Sequence, residues 1–319
     1  MNRFKKCFRW VKVIINDRQL KKICVDNYKH HKKYNVNSSM SCEKVGYNIM
    51  LNAHALEKGM TNPHPRRFGK SKVETIGVQM KLYKKNNWPK DFAYNNGVSV
   101  LGDYCKFYNK QDWSDSEECR LAKQLIDGEN TSIKAGTTVV KKQQKSFDYD
   151  GFVSSRHSVR DFDDKKISSV DMKKAVEIAI KTPTACNRQM VKVYYVKNDA
   201  VKNKIIKYSH GLTGFNLDNT NLVLLTYDTS SLRKMEFGQG LFNAGLFAMN
   251  LVNAMHSLGI GSCMLEYSVS MKEENEEKKI LGIPDCERIA VVIGAGYYKD
   301  ETIVPKSVRK PLEEIYRER

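Results

Sequence analysis

Four short stretches of this 319-residue chain concentrate groups that grip anions or address a flat polar ring. Arg156-His157-Ser158-Val159-Arg160 sets two guanidinium groups, an imidazole and a hydroxyl within five residues. A guanidinium is a planar fork that holds phosphate oxygens in pairs, so this is a candidate phosphate site; taken alone it reads equally as a charged surface run. Pro183-Thr184-Ala185-Cys186-Asn187-Arg188-Gln189 presents two amides that offer donors and acceptors to a heterocycle edge, with a simple connecting turn as the plainer reading. Gly259-Ile260-Gly261-Ser262-Cys263-Met264-Leu265 supplies small residues that let backbone approach a flat ligand closely. It is no dinucleotide fingerprint, because no strand precedes it. Pro305-Lys306-Ser307-Val308-Arg309-Lys310-Pro311 adds further phosphate-type donors near the C-terminus. No side chain stands out as a general acid or nucleophile.

The elements that must position these stretches follow from periodicity. Ser168 caps a helix running to about Lys181, with Val170, Ala175, Ile178 and Ala179 as its apolar positions. Lys192–Lys197 is β-branched and aromatic and reads as a strand. Asn221–Asp228 is a second strand whose continuous apolar run implies burial on both faces. Gly238–Leu258 is a long helix, apolar nearly all round and therefore central. Cys263–Leu265 begins a short strand, and Ile289–Ile293 is another, closed by Gly294-Ala295-Gly296. The tail from Pro305 extends away from the body.

Residues 1–147 have another character. Phe4, Phe8, Val11 and Ile15 fall at helical spacing in a basic stretch, and Trp10 among lysines would also suit a membrane interface. After the polar Asn37-Ser38-Ser39, a second helix carries Val45, Ile49, Ala53 and Leu56 on one face, with Gly59 as terminator. A loop at 63–70, a helix at 71–85, a turn at Tyr94-Asn95-Asn96-Gly97 and helices at 98–108 and 115–127 complete an all-helical half. Gly136–Asp150, with a Lys-Lys-Gln-Gln-Lys run, reads as a linker. His54 and Glu57 are three apart on a helix, but a metal needs more ligands than lie nearby, and none is expected.

The net charge of +18 is uneven: the first hundred residues hold 21 Lys and Arg against 6 Asp and Glu, the remainder 33 against 30. That asymmetry raises an anionic surface or acidic partner for residues 1–100, against the plainer reading of a solvated basic face. Nucleic acid is not favoured, for want of aromatics interleaved with a continuous basic groove. Eight scattered cysteines form no CxxC pair, and the start has no apolar h-region of useful length. Both point to a cytoplasmic protein, with a membrane-peripheral placement of the basic end as the variant.

Taken in order, RHSVRDF, PTACNRQ, GIGSCML and the Lys306/Arg309 pair resemble the flavin motifs of the nitroreductase family over about residues 148–319. The resemblance implies an α+β fold: a mostly antiparallel sheet surrounded by helices, here with an N-terminal helical extension, residues 1–147. It implies a homodimer with FMN at the interface, a nicotinamide electron donor and a small organic acceptor used in a ping-pong cycle. Carried over, the cofactor-binding set is Arg156, His157, Ser158, Arg160, Thr184, Ala185, Asn187, Gln189, Met264, Leu265, Lys306 and Arg309. Two alternatives stand beside it: a specialised flavin dehydrogenase or oxidase on a biosynthetic substrate, and a non-catalytic flavin-binding protein with a basic surface-binding module. Two departures are visible. Met190-Val191 stands where the family has Pro-Trp after the glutamine, and only Thr229–Phe237 fills the usual lid position.

Overall fold

The computed structural model describes residues 3–36, 40–139, 147–212 and 214–319. The side chains of Phe4, Phe8, Trp10, Val11 and Ile15, the Asn37-Ser38-Ser39 run and the lysine–glutamine run at 141–145 lie outside the described residues.

The first half is helical: α1 (Arg3–His31), continued by a π-helical turn Lys32–Val36, then α2 (Cys42–Met60), α3 (Lys70–Lys85), α4 (Phe92–Lys110) and α5 (Glu117–Ile126). Val45, Ile49, Ala53 and Leu56 are fully buried, as their spacing predicts, and they pack with Val73, Ile76, Leu101 and four tyrosines. A buried phenol needs a partner. Tyr104 and Tyr108 donate to the Phe68 carbonyl, Tyr94 to Glu129, and Tyr83 to Asp91.

Two expectations here are corrected. The Tyr94–Gly97 stretch is no turn: Asp91 caps α4 by accepting from the Tyr94 amide, and the helix runs straight through. Gly97 serves a helix crossing, since a Cβ there would stand 2.6 Å from an Ile49 methyl. Gly59 does not end α2 either. It lies inside the helix, where a Cβ would meet the Phe68 ring at 2.0 Å.

The second half holds α6 (Tyr149–Ser155), α7 (Ser169–Ala179), β1 (Val191–Val196), α8 (Asp199–Ile205), β2 (Asn221–Asp228), α9 (Gln239–Ser257), β3 (Ile260–Leu265), α10 (Met271–Leu281), β4 (Glu287–Tyr297) and α11 (Leu312–Ile315). The sheet order is β1-β2-β4-β3, every neighbouring pair antiparallel. This is the α+β, helix-surrounded sheet that the motifs imply. Every β2 residue is buried, as the unbroken apolar run requires. Phe247 and Leu251 of α9 and Ala175 of α7 cover one face through Val223, Leu225 and Ile293. Ile205 and Ile283 cover the other through Leu222, Leu224 and Val292.

Three details differ from the sequence reading. Gly294-Ala295-Gly296 does not close β4, which continues to Tyr297; a Cβ on Gly296 would stand 2.5 Å from Phe162, so the glycine makes room for that ring. On α7, Met172 is buried while Val170 is exposed. Helix α9 is not covered all round: Leu241, Phe242, Leu246 and Met249 form an exposed apolar stripe.

The helical half sits on the turn that follows β2. Tyr47 donates to Asp228 (3.2 Å), His30 meets the Thr229 hydroxyl (3.1 Å), and Asn35 donates to the Leu232 carbonyl. Asn27 accepts from Arg288 (2.7 Å). Among the described residues no helix is long and apolar enough to cross a membrane.

Candidate functional site

The 156–160 segment runs alongside β3. Ser158 bridges Ser262, and the Val159 amide donates to the Ser262 carbonyl at 3.0 Å. Gly261 permits this approach, because a Cβ there would stand 3.1 Å from Val159. Met264, exposed, and Leu265, buried, belong to the same strand. Arg156, His157, Ser158 and Arg160 are all partly buried. The Arg156 Nε is buried and has no hydrogen-bond partner among the described residues. The His157 ring contacts the Ser155 carbonyl (3.0 Å), and Arg160 donates to the Ser158 carbonyl (3.4 Å).

His256 and Tyr298, which the sequence reading did not single out, complete this end. Their side chains meet at 2.9 Å, and the Ser155 hydroxyl contacts the other His256 ring nitrogen at 2.9 Å. Burial first, then the charges of Arg156 and His157, hold the His256 pKa below its ordinary value. His256 thus stays neutral, and the fixed cations of this corner are the Arg156 and Arg160 guanidiniums.

Thr184, Ala185, Asn187 and Gln189 lie at the far edge of the sheet, in and beside a short 3₁₀ turn, Ala185–Asn187, ahead of β1. Cys186, Asn187 and Gln189 all have left-handed φ, near +50°, without a glycine among them. Such a run is costly for non-glycine residues and persists only where neighbours over-determine it. Asn243 of α9 accepts from the Ala185 amide (2.8 Å), and the Gln189 amide donates to the Thr184 hydroxyl (2.9 Å).

The largest constraint is Arg188, a motif residue to which the sequence reading gave no role. It is 1% exposed. Its guanidinium donates to the Ala185 carbonyl, to the Ser231 carbonyl and, through both terminal nitrogens, to Glu236 at 2.7 and 3.1 Å. The Thr229–Phe237 segment is thereby tied to the turn. No sequence signal distinguishes such an arginine from a surface cation, because Ser231 and Glu236 lie more than forty residues away.

Lys306 and Arg309 stand on the exposed C-terminal arm and make no ion pair among the described residues. A single chain thus does not gather the twelve candidates into one place. The 156–160 segment flanks β3, residues 184–189 precede β1, and these are the two outer strands. Three strand spacings put them roughly 14 Å apart across the sheet. His54 Nδ1 and the Glu57 carboxylate meet at 3.0 Å, and no cluster able to hold a metal occurs among the described residues.

The Nitroreductase family model matches residues 153–218 and 234–297. A protein of Archaeoglobus fulgidus, described as a candidate NADH dehydrogenase/NAD(P)H nitroreductase, is 28% identical over 152 residues, 47% of this chain and 84% of that one. Among solved structures, a nitroreductase family protein from Streptococcus pneumoniae TIGR4 is similar at 24% identity and TM-score 0.46, covering 54% of this chain and all of the other. A nitroreductase from Desulfitobacterium hafniense DCB-2, crystallised with bound FMN, gives 22% and 0.43, covering 53% of this chain and 96% of its own. Over residues 153–218 and 234–297 the chain is thus nitroreductase-like. The protein is accordingly an enzyme of the oxidoreductase class.

Proposed function

We propose that the protein is an FMN-dependent oxidoreductase. It works as a homodimer, takes electrons from a nicotinamide donor and passes them to a small organic acceptor in a ping-pong cycle. The observation that carries this reading is the division of the candidate flavin site between the two outer edges of one sheet. A second copy, docked through the uncovered Leu241, Phe242, Leu246 and Met249 stripe of α9, supplies the missing half. The same reading divides the chain into a basic helical extension, 1–147, and a flavin-binding domain, 148–319.

FMN fits the residues present. The unpartnered, buried Nε of Arg156 is a donor awaiting an anion, and unsatisfied buried donors are rare without such a reason. Arg156, with Lys306 and Arg309 from the arm, would hold the phosphate; Ser158 and Asn187 would supply hydrogen bonds along the chain of the cofactor. Thr184, Ala185, Gln189, Met264 and Leu265 would border the ring. When bound, FMN supplies the electron-transfer chemistry, while the side chains bind, orient and exclude water. The cations at the 156–160 end favour binding of a doubly charged phosphate.

The test is purification followed by denaturation and chromatography of any released flavin, together with sedimentation at micromolar concentration. FMN on a dimer is expected. A protein that takes up no added FMN overturns the reading, and a flavin-loaded monomer overturns the shared site.

A further inference from the structure

The helical half does more than rest on the flavin domain. Between α2, the start of α4 and the turn ahead of β1 lies a cavity of about 280 Å³. Tyr47 and Met50 of α2 and Phe92 of α4 form one wall, and Gln189 and Lys192 form the other. Gln189 also lines a second, smaller cavity of about 100 Å³, with Thr184 and Phe247. It therefore stands between the candidate ring site and the space under the helical half.

We propose that this cavity is the acceptor-selecting subsite of the flavin cleft, and that Phe92, Met50 and Tyr47 decide which acceptors reach Gln189. The inference rests on the reading that residues 184–189 border the flavin.

The wall is held rigidly. Tyr47 donates to Asp228, and its ring packs with the cluster of Met190, Tyr227, Leu232 and Ala244. Burial first, then the Asp228 charge, raises the Tyr47 pKa, so the phenol stays a neutral donor. Asn35 and the Arg188–Glu236 pair hold the 229–237 segment from both sides. The gap between the halves is thus a fixed space and not slack between tethered bodies.

Its size and chemistry narrow the occupant. A volume just under the ~300 Å³ at which drug-sized sites begin admits one or two fused rings. Phe92 is 52% exposed although it is a large aromatic at a helix start, and it lines the cavity beside the Met50 thioether and the Tyr47 ring, with the Glu43 and Asp91 carboxylates on the same side. Opposite, the Gln189 amide and the exposed Lys192 ammonium offer donors to an oxygen-bearing ring. A flat, oxygen-bearing ring compound fits both walls. Bulk at position 92 then sets the length of ring system admitted.

The experiment uses the full chain loaded with FMN, as wild type, Phe92→Trp, Phe92→Ala and Tyr47→Phe. Val78→Trp, at an exposed position on α3 away from the cavity, controls for added surface bulk. Two readouts are taken. One is the dissociation constant of the redox-inert probes benzoate and 2-naphthoate, followed by the change in flavin absorbance. The other is the rate at which dithionite-reduced protein is reoxidised by 1,4-benzoquinone and by anthraquinone-2-sulfonate. Phe92→Trp is expected to worsen the larger probe relative to the smaller at least fivefold in both readouts. Phe92→Ala should shift the ratio the other way, and Val78→Trp should leave it unchanged. FMN uptake with size ratios unchanged within twofold in both Phe92 variants overturns the subsite alone. A chain that takes up no FMN overturns the underlying reading, and the subsite with it.

Discussion

Replacing Arg188 with methionine should be among the most damaging single changes in the flavin domain. Methionine roughly fills the aliphatic volume but leaves Glu236, the Ala185 carbonyl and the Ser231 carbonyl without their shared donor. Removing one partner of a buried ion pair costs about 3–5 kcal/mol. Glu236 is 25% exposed against 1% for Arg188, so water rehydrates part of the carboxylate and the lower end, about 3 kcal/mol, applies. For a domain of this size that corresponds to a fall in Tm of roughly 6–12 °C. Circular dichroism melting of the full chain at pH 7.5 is the assay. The pair also sets a pH dependence. Burial pushes the Glu236 carboxyl up, but the Arg188 and Arg233 hydrogen bonds and charges outweigh it, and the net pKa is lowered. A carboxylate with a lowered folded pKa stabilises above its unfolded value and loses that contribution as pH falls through the folded one. The gap between wild type and Glu236→Gln should therefore close on acidification. An Arg188→Met protein melting within 2 °C of wild type, or a gap that widens in acid, would refute the reasoning.

Arg156→Ala and Arg309→Ala should each weaken FMN binding about tenfold or more, because a charged hydrogen bond to phosphate is worth roughly 1.5–3 kcal/mol. His54→Ala should not, and flavin-fluorescence titration separates them. Cys186→Val should cost about 1–3 kcal/mol, since a β-branched residue tolerates its φ of +52° poorly; urea unfolding no different from wild type would show the turn to be unstrained. Glu277 is fully buried, and burial pushes its pKa up to about 7, with Tyr267 opposing and Glu274 adding. A raised carboxyl pKa withdraws stability as pH rises from about 4.5 to about 7, up to roughly 3 kcal/mol. Glu277→Gln should accordingly gain on wild type between pH 5 and pH 8; a pH-independent difference would show that the carboxyl does not titrate there.

What the sequence disclosed was local. Periodicity placed α2, α7, α9, β1 and β2 within a few residues, because each buries a face whose spacing is written in the chain. The turn assigned to Tyr94–Gly97 failed because Asn-Asn-Gly is turn chemistry only when no cap lies upstream, and Asp91 is such a cap. Helix α10 was missed altogether: its Glu- and Lys-rich run looks like solvated charge, yet Ser270 and Glu273 form a reciprocal capping box, and Glu274 is buried against Arg288. The candidate flavin residues could be read as four motifs in order, but not their separation to opposite edges of the sheet, since strand order is a long-range property. The exposed stripe on α9 could not be read either, because an apolar helix shows the same composition whether its partner is its own chain or a second copy.

The positions where this chain departs from the family pattern are those where the helical half docks. Met190 replaces proline, and its fully buried side chain joins Tyr227, Leu232 and Ala244 in the cluster against which Tyr47 packs. Its sulfur also lies 3.3 Å from the Ser231 hydroxyl. A proline there would remove that side chain from the cluster. Arg188, two residues earlier, crosses to the same short segment through Ser231 and Glu236. With only Thr229–Gly238 between β2 and α9, this segment cannot cover the cleft by itself. It serves instead as the ledge on which Tyr47, His30 and Asn35 rest. The altered motif, the short connection and the helices therefore meet at one ledge. Restoring proline at 190 without the rest should loosen the helical half from the flavin domain before it affects flavin affinity. Hydrogen exchange across residues 42–60, compared with FMN titration of the same Met190→Pro protein, distinguishes the two effects; loss of FMN affinity with α2 still protected would mean that the substitutions are independent.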